Sequence, residues 1–301
     1  AVSTSVCLGF PQQLFEQHPA FEHVEEFWLI ENELFFTQLP FHQKKLALHR
    51  ASMNYYAEYL RSKNKKVRYY VSKDAKWEDI FEDLKSIEAK ITVIDPTDFL
   101  LEKRIRRFAA QFALPLQWLD NPSFFNTPQQ NTALFGKRER RFFMADFYKK
   151  QRERLGILLT DTGAPIGGQW SYDADNRKAL PKGLALPSFP VYQSTWSRAA
   201  QETIAIDFSS HPGNPDLSDY PVTHQEAKAA LSYFIEHNLQ FFGPYQDAFS
   251  PDSTFVFHSN LSAALNIGLL LPNEVVEQVL AAYQKGSVSI AVSYTHLTLP
   301  T

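Results

Sequence analysis

The chain has 301 residues, 44% of them hydrophobic and 21% charged, enough apolar material for two cores, which excludes a disordered or fibrous protein. With 30 Lys+Arg against 33 Asp+Glu the formal net charge is -3, so bulk charge does not hold nucleic acid and any such contact needs a local basic patch. The single cysteine, Cys7, excludes an intramolecular disulfide and any thiolate metal site or iron–sulfur cluster built from this chain alone, which fits a reducing compartment.

Over the first 120 residues or so, short β-branched and aromatic runs alternate with amphipathic ones, the pattern of a parallel sheet with crossover helices. The predicted strands are Val2–Gly9, Val24–Ile30, Val67–Val71, Ile91–Ile94 and Leu116–Leu119. Between the second and third, Phe41–Asn64 places Leu46, Met53, Tyr56, Ala57 and Leu60 on one helical face, with Lys44 opposite and Lys45, Arg50 and Arg61 towards its edges. Lys76–Ile87 and Asp98–Phe112 are two further helices, the second with Thr97 as the expected N-cap. Right-handed crossovers then give an α/β fold, a Rossmann-like doubly wound parallel sheet.

After Asp120 strand-like runs become rare and helical ones continue, at Arg140–Leu155, His224–Phe241, Ser259–Leu271 and Asn273–Gln284. Between them Thr160–Pro221, rich in Gly, Pro, Asp and Ser, is too long for an ordinary loop and reads as a functional crossover or a flexible connection. The closing residues Ala291–Thr301 (AVSYTHLTLPT) break with the preceding helix and match one reading frame through the adapter and primer DNA of sequencing libraries. They are read as an artefact, so the natural sequence is expected to continue beyond Ile290. No stretch reaches the roughly 20 apolar residues of a membrane span, and the first residues lack the order of a secretory signal. The expectation is a soluble, cytoplasmic monomer with no membrane partner.

The familiar nucleotide motifs are missing. The turn after the first strand reads Leu8-Gly9-Phe10-Pro11-Gln12-Gln13, without G-x-G-x-x-G, and neither a P-loop nor a G-x-S-x-G elbow occurs. Ligand binding at the carboxyl ends of the strands remains the expectation for this architecture, which points to Gly9, Phe10, Glu31 and Asn32. Glu31 and Glu33, just beyond a strand, either serve acid/base work or orient a ligand, or simply solvate a loop. His42 and His49 share a helical face but lack an acidic or thiol partner at metal-ligand spacing, so solvated or core histidines are the better reading.

Two basic runs, Lys103-Arg104 with Arg106-Arg107, and Lys137-Arg138 with Arg140-Arg141 extended by Lys149, Lys150, Arg152 and Arg154, are either phosphate contacts or solvated helix faces. Gly167–Lys178 (GGQWSYDADNRK) combines two conformationally free glycines, two aromatics and an acidic–Asn–basic series, the makings of a ligand site or of a self-satisfied Ω-loop. Ser259, read as preceding a helix, is a phosphate-binding or a merely capping hydroxyl.

Leu8–Leu14 (LGFPQQL), the block from Glu31 to Phe41-His42-Gln43-Lys44-Lys45-Leu46, Gly167–Lys178 and Gly243–Gly268, in this order, resemble the photolyase/cryptochrome superfamily. The resemblance is narrowest to the deoxyribodipyrimidine photolyase-related group, which includes the prokaryotic iron–sulfur photolyases and cryptochromes. It runs from Ser5 to about Ile290. It implies an α/β antenna domain at 1–120, a linker or crossover with a helix at 121–221, and at 222–290 the start of an all-helical FAD-binding domain, incomplete here.

His258-Ser259-Asn260-Leu261-Ser262 is similar to the T-S-x-L-S segment that grips the flavin pyrophosphate, with His258 in place of Thr, and Tyr245 stands where the family has its upstream tyrosine. The antenna chromophore implied is a ribityl lumazine near Gly9, Phe10, Glu31 and Asn32. The partner implied is UV-damaged DNA, repaired when an electron from photoexcited reduced FAD reaches a flipped-out pyrimidine lesion. The catalytic histidines, the electron-transfer aromatics and the cysteines of a 4Fe-4S cluster are expected beyond Ile290, so no catalytic residue is assigned and the fragment alone is expected to be inactive. Two rivals remain, a blue-light photoreceptor cryptochrome and a non-photochemical α/β nucleotide-binding module.

Overall fold

The computed structural model describes residues 4–135, 143–171 and 178–289. Five strands, β1 (Ser5–Gly9), β2 (Glu26–Ile30), β3 (Lys66–Tyr70), β4 (Lys90–Ile94) and β5 (Leu116–Leu119), form one all-parallel sheet in the order β3-β2-β1-β4-β5. This is the doubly wound order, reversing between β1 and β4, and all five predicted strands are present to within a few residues. Alternation along the strands supplies both faces. Val6, Leu8, Trp28, Ile30, Ile91 and Val93 share one core with Ile80, Phe81 and Leu84 of α3 (Trp77–Ser86) and Leu101, Ile105 and Phe108 of α4 (Phe99–Gln111).

The residues of opposite parity, Cys7, Phe27 and Leu29, are equally buried. Against β2 and β3 lies α2 (Gln43–Ser62), preceded by the short helix α1 (Glu33–Phe36). Here the structure corrects two details of the sequence reading. Arg50, expected at the helix edge, is 5% exposed, because the helix α7 (Thr195–Asp207) packs along α2 and makes its burial two-sided. The N-cap of α4 is Asp98, whose carboxylate accepts from Leu101 N at 2.8 Å, whereas Thr97 takes a left-handed φ of 52° and turns its hydroxyl to Pro96 O.

The stretch read as a Gly/Pro-rich crossover therefore contains a regular helix, α7, which Ser194 caps. The other helices are α5 (Pro128–Phe135), α6 (Met144–Leu155), α8 (His224–Tyr233), α9 (Leu239–Tyr245), α10 (Ser262–Asn266) and α11 (Pro272–Gln284). A π-helical turn at Phe234–Asn238 separates α8 from α9, where one continuous helix was expected. Beyond β5 the described residues form no further strand of a sheet, in keeping with the α/β-then-helical class.

Contacts divide the chain into two compact units that are not contiguous in sequence. The first combines the stretch up to Ser123 with Pro190–Lys228 and Ser262–Leu271. The second combines Phe124–Phe189, Ala229–Leu261 and the chain from Pro272 on. Within the first unit, polar pins hold the segment after β1. Tyr56 and Tyr59 donate to Phe15 O and Glu16 O at 2.8 and 2.7 Å, and His224 Nε2 donates to Leu14 O at 2.8 Å. That carbonyl fixes the tautomer, so His224 Nδ1 accepts from the Tyr55 hydroxyl. Gly268 at φ 81° allows this packing, since a Cβ there would stand 2.7 Å from Phe15 and 3.0 Å from Leu14 N.

Candidate functional site

Two places carry the residues singled out by sequence, one in each unit. In the first unit Gly9, Phe10, Glu31 and Asn32 all lie at the carboxyl ends of the adjacent strands β1 and β2. At Gly9 the strands approach closely, since a Cβ would come within 2.6 Å of Leu29 Cδ2 and would have to displace that buried side chain. Phe10 is fully buried, its ring 6.4 Å from that of Trp77.

Glu31 does not solvate a loop. Its carboxylate is fully buried and accepts four hydrogen bonds: from Arg50 Nε and the Tyr69 hydroxyl on one oxygen, at 2.8 and 2.9 Å, and from Arg50 Nη2 and Ser72 N on the other, at 2.8 and 2.9 Å. Arg50 also reaches Asp207 at 2.7 Å, joining α7 to the strand ends. Burial opposes the charge on Arg50, and the hydrogen bonds and charges of Glu31 and then Asp207 outweigh it, holding the guanidinium above its ordinary value. With its acceptor sites taken, Glu31 serves as a frame and not as a free base. Glu33, in contrast, is half-exposed and pairs with Arg104.

The unsatisfied groups stand beside this frame. Asn32 caps α1 through Oδ1, which accepts from Leu34 N at 3.1 Å, while its buried Nδ2 has no partner. Gln12, on the loop after β1, leaves both amide atoms buried without partners. So does His49, which packs against Phe35 and Phe36 and is lowered by burial, with Lys45 adding, to about 3, hence neutral. Buried unpartnered polar groups are uncommon, and several at the strand ends mark a place able to meet a polar, flat ligand. His42 is instead the N-cap of α2, its Nδ1 accepting from Lys44 N. Among the described residues no three His, Cys, Asp or Glu side chains gather as a metal site.

The second unit carries the rest. Tyr245 ends α9, half-buried, its ring 5.9 Å from that of Phe257, and His258 Nε2 donates to Gln246 O at 3.1 Å. Ser259 and Asn260 are half-buried, Asn260 with a left-handed φ of 54°, and Leu261 is buried. The following helix, α10, begins at Ser262, which belongs to the first unit, and not at Ser259, so the expected cap at Ser259 is not formed; α10 itself is only 5 residues long. Nearby in sequence, Asn238 in the π-helical turn is fully buried with both amide atoms unpartnered, as is Gln246 Oε1.

Of the Gly167–Lys178 string, Gly167 and Gly168 do adopt positive φ, 79° and 76°. Arg152, a residue that sequence placed only in a basic run, is buried and donates to the carbonyls of Ile157, Leu158, Gln169 and Trp170, organising this loop. Lys149 and Arg152 lie 4.9 and 5.1 Å from the Trp170 ring, and Lys178 N donates to Pro244 O at 3.0 Å, tying the string to the start of the Tyr245 segment. Tyr172–Arg177, the run Lys137–Arg141 and the tail 291–301 lie outside the described residues.

The basic run on α4 is largely engaged locally: Arg104 with Glu33, and Arg106 with Glu102 and over the Trp118 ring at 4.3 Å. What sequence missed is the Arg50–Asp207 link. Arg50 stands four residues after Leu46 and three before Met53, at the border of the apolar stripe, where a second packed helix buries it; Asp207, 157 residues away, gave no signal.

Among the described residues no helix is long and apolar enough to cross a membrane. The profile of the deoxyribodipyrimidine photo-lyase-related proteins matches residues 7–220. A (6-4) photolyase of Agrobacterium fabrum is 28% identical over 256 residues, 83% of this chain and 50% of its own length. An uncharacterized protein, R852, of Acanthamoeba polyphaga mimivirus is 30% identical over 194 residues, 60% of this chain and 97% of its own length. A crystal structure of an archaeal photolyase from Sulfolobus tokodaii with two FAD molecules superposes with a TM-score of 0.54 at 11% identity, covering 96% of this chain and 56% of that one, a likeness of fold. The chain thus spans about half the length of these two photolyases.

Proposed function

Because the chain belongs to the deoxyribodipyrimidine photo-lyase-related family, we propose that it is the N-terminal part of a flavoprotein that repairs UV pyrimidine lesions in DNA under light. The observation that carries this reading is the similarity to a (6-4) photolyase over 83% of the chain, on a matching fold. In it, residues 1–120 form the antenna domain, 121–221 the crossover and 222–290 the start of the flavin-binding domain.

The residues assigned to FAD are Tyr245, His258, Ser259, Asn260, Leu261 and Ser262. Their surroundings fit a polar cofactor, since Asn238 and Gln246 bring buried amide atoms without partners to the same stretch of chain. When bound, FAD supplies the light-excited electron donor. The chain's own part is to grip and orient: His258 is fixed by Gln246 O, and Arg152 and Lys178 brace the Gly167 loop against the start of the Tyr245 segment.

At the sheet's carboxyl edge, Gly9, Phe10, Glu31 and Asn32 are assigned to an antenna chromophore of the ribityl lumazine type. Glu31 acts there as the frame and Asn32 as the free donor, beside Gln12 and His49. The cluster cysteines implied by the resemblance are not on this chain, whose one cysteine is buried in β1.

The test compares this 301-residue chain with the product of the uninterrupted genomic reading frame, each purified in the dark. The reading expects little flavin absorbance from the first, stoichiometric flavin from the second, and blue-light-dependent loss of lesions from an irradiated oligonucleotide. A flavin-bearing product that changes absorbance in light without repair identifies the photoreceptor instead. A product without flavin identifies a nucleotide-binding module.

A further inference from the structure

On the α3/α4 side of the sheet, beyond the carboxyl ends of β2 and β3, lies a groove of about 480 Å³ that none of Gly9, Phe10, Glu31 and Asn32 lines. Its walls come from three separate stretches of chain: Glu33 and Thr37 at α1, Ser72, Lys73 and Ala75–Glu78 at the start of α3, and Arg104, Arg107 and Phe108 of α4. Four cations, Lys73, Lys76, Arg104 and Arg107, face two carboxylates, Glu33 and Glu78.

Arg104 is neutralised by Glu33, but Lys73, Lys76 and Arg107 have no ion-pair partner among the described residues. The N-terminus of the ten-residue helix α3 opens here, with Lys76 at its N-cap and no side chain capping it. Its first N–H groups and the positive end of its dipole therefore add to the cations. A second, independent feature is Trp77, which lines the groove, is 5% exposed and keeps a buried indole N–H without a hydrogen-bond partner.

We infer that this groove binds the phosphoryl group of a mononucleotide-sized ligand. Its volume lies in the small-molecule range. Cations converging from separate elements suit a single dianion better than the row of contacts a DNA backbone takes, and the neighbouring Arg106 is engaged away from it, with Glu102 and Trp118. The assignment rests on this geometry alone and stands or falls apart from the flavin and antenna assignments.

The test is calorimetric titration of the 301-residue chain with adenosine monophosphate, inorganic phosphate and a short DNA duplex. The expected result is one site for adenosine monophosphate, with inorganic phosphate competing. Lys76→Glu together with Arg107→Glu weakens it about tenfold or more, while Lys103→Glu, on α4 but outside the groove, leaves it unchanged. All three positions are exposed, so the substitutions leave the core untouched. The inference is overturned by any of three results: no binding of either small anion up to about 10 mM, equal weakening by Lys103→Glu, or duplex DNA binding in preference to adenosine monophosphate with the same dependence on Lys76 and Arg107.

Discussion

The two regions that carry the singled-out residues are built differently. At the sheet's carboxyl edge in the first unit, Glu31 is saturated by Arg50, Tyr69 and Ser72, and Arg50 extends to Asp207, so the frame is complete within the protein and only the groups beside it remain unpaired. In the second unit Tyr245, His258, Ser259 and Asn260 are half-buried, and the buried amide atoms of Asn238 and the amide oxygen of Gln246 lack partners. A self-satisfied network holds its shape without a ligand, whereas a stretch with orphaned amides gains most from one.

The contrast can be broken most forcefully at Arg50. Arg50→Ala leaves the buried Glu31 without its ion-pair partner, and should cost about 3–5 kcal/mol in urea unfolding of the first unit. Glu31→Gln combined with Arg50→Met should recover much of that loss; if Arg50→Ala alone costs less than about 1 kcal/mol, the network is not the frame described here.

Acid should act next, and on the same unit. His18 and His49 are buried and neutral, each lowered by burial from 6.5 to about 3. In the unfolded chain they take protons near pH 6.5, so the unfolded state binds more protons between these values, and stability is full above pH 6.5 and falls as pH drops towards 3. By pH 5 each imidazole should have cost about 2 kcal/mol, and His49→Leu should flatten its share of the slope in pH-dependent melting curves.

In the second unit the expected sign is opposite. Asn238→Leu removes two orphaned amide atoms and should stabilise the ligand-free chain by about 1–2 kcal/mol while weakening its response to flavin. A loss of stability instead would show that Asn238 is satisfied. The smallest effect belongs to the surface: Arg106→Ala, which breaks an exposed pair with Glu102 and the contact over Trp118, should lower the unfolding free energy by less than about 1 kcal/mol.

Much of the first unit was legible because parallel strands buried on both faces are short apolar runs, and Val6–Leu8, Phe27–Ile30 and Ile91–Ile94 are such runs. Helix α7 was hidden by its setting between Gly- and Pro-rich segments, although Ser194 and the apolar Ala200 and Ile204 obey the helical rules. The π-helical turn at Phe234–Asn238 and the late start of α10 at Ser262 leave no mark in periodicity, since both are decided by packing. At the candidate sites, residue identity singled out Gly9, Glu31 and Tyr245, but which carboxylate is saturated and which amide is orphaned depends on contacts such as Glu31 with Arg50, which only the folded chain brings together.

The most direct measurement is hydrogen exchange of the product of the uninterrupted reading frame with its flavin bound and with it removed. The account predicts slowed exchange around Tyr245 and over Phe257–Ser262, with the ends of β1 and β2 unchanged because their frame is already closed. Protection confined to the Gly9–Asn32 edge, or no protection anywhere, would contradict it.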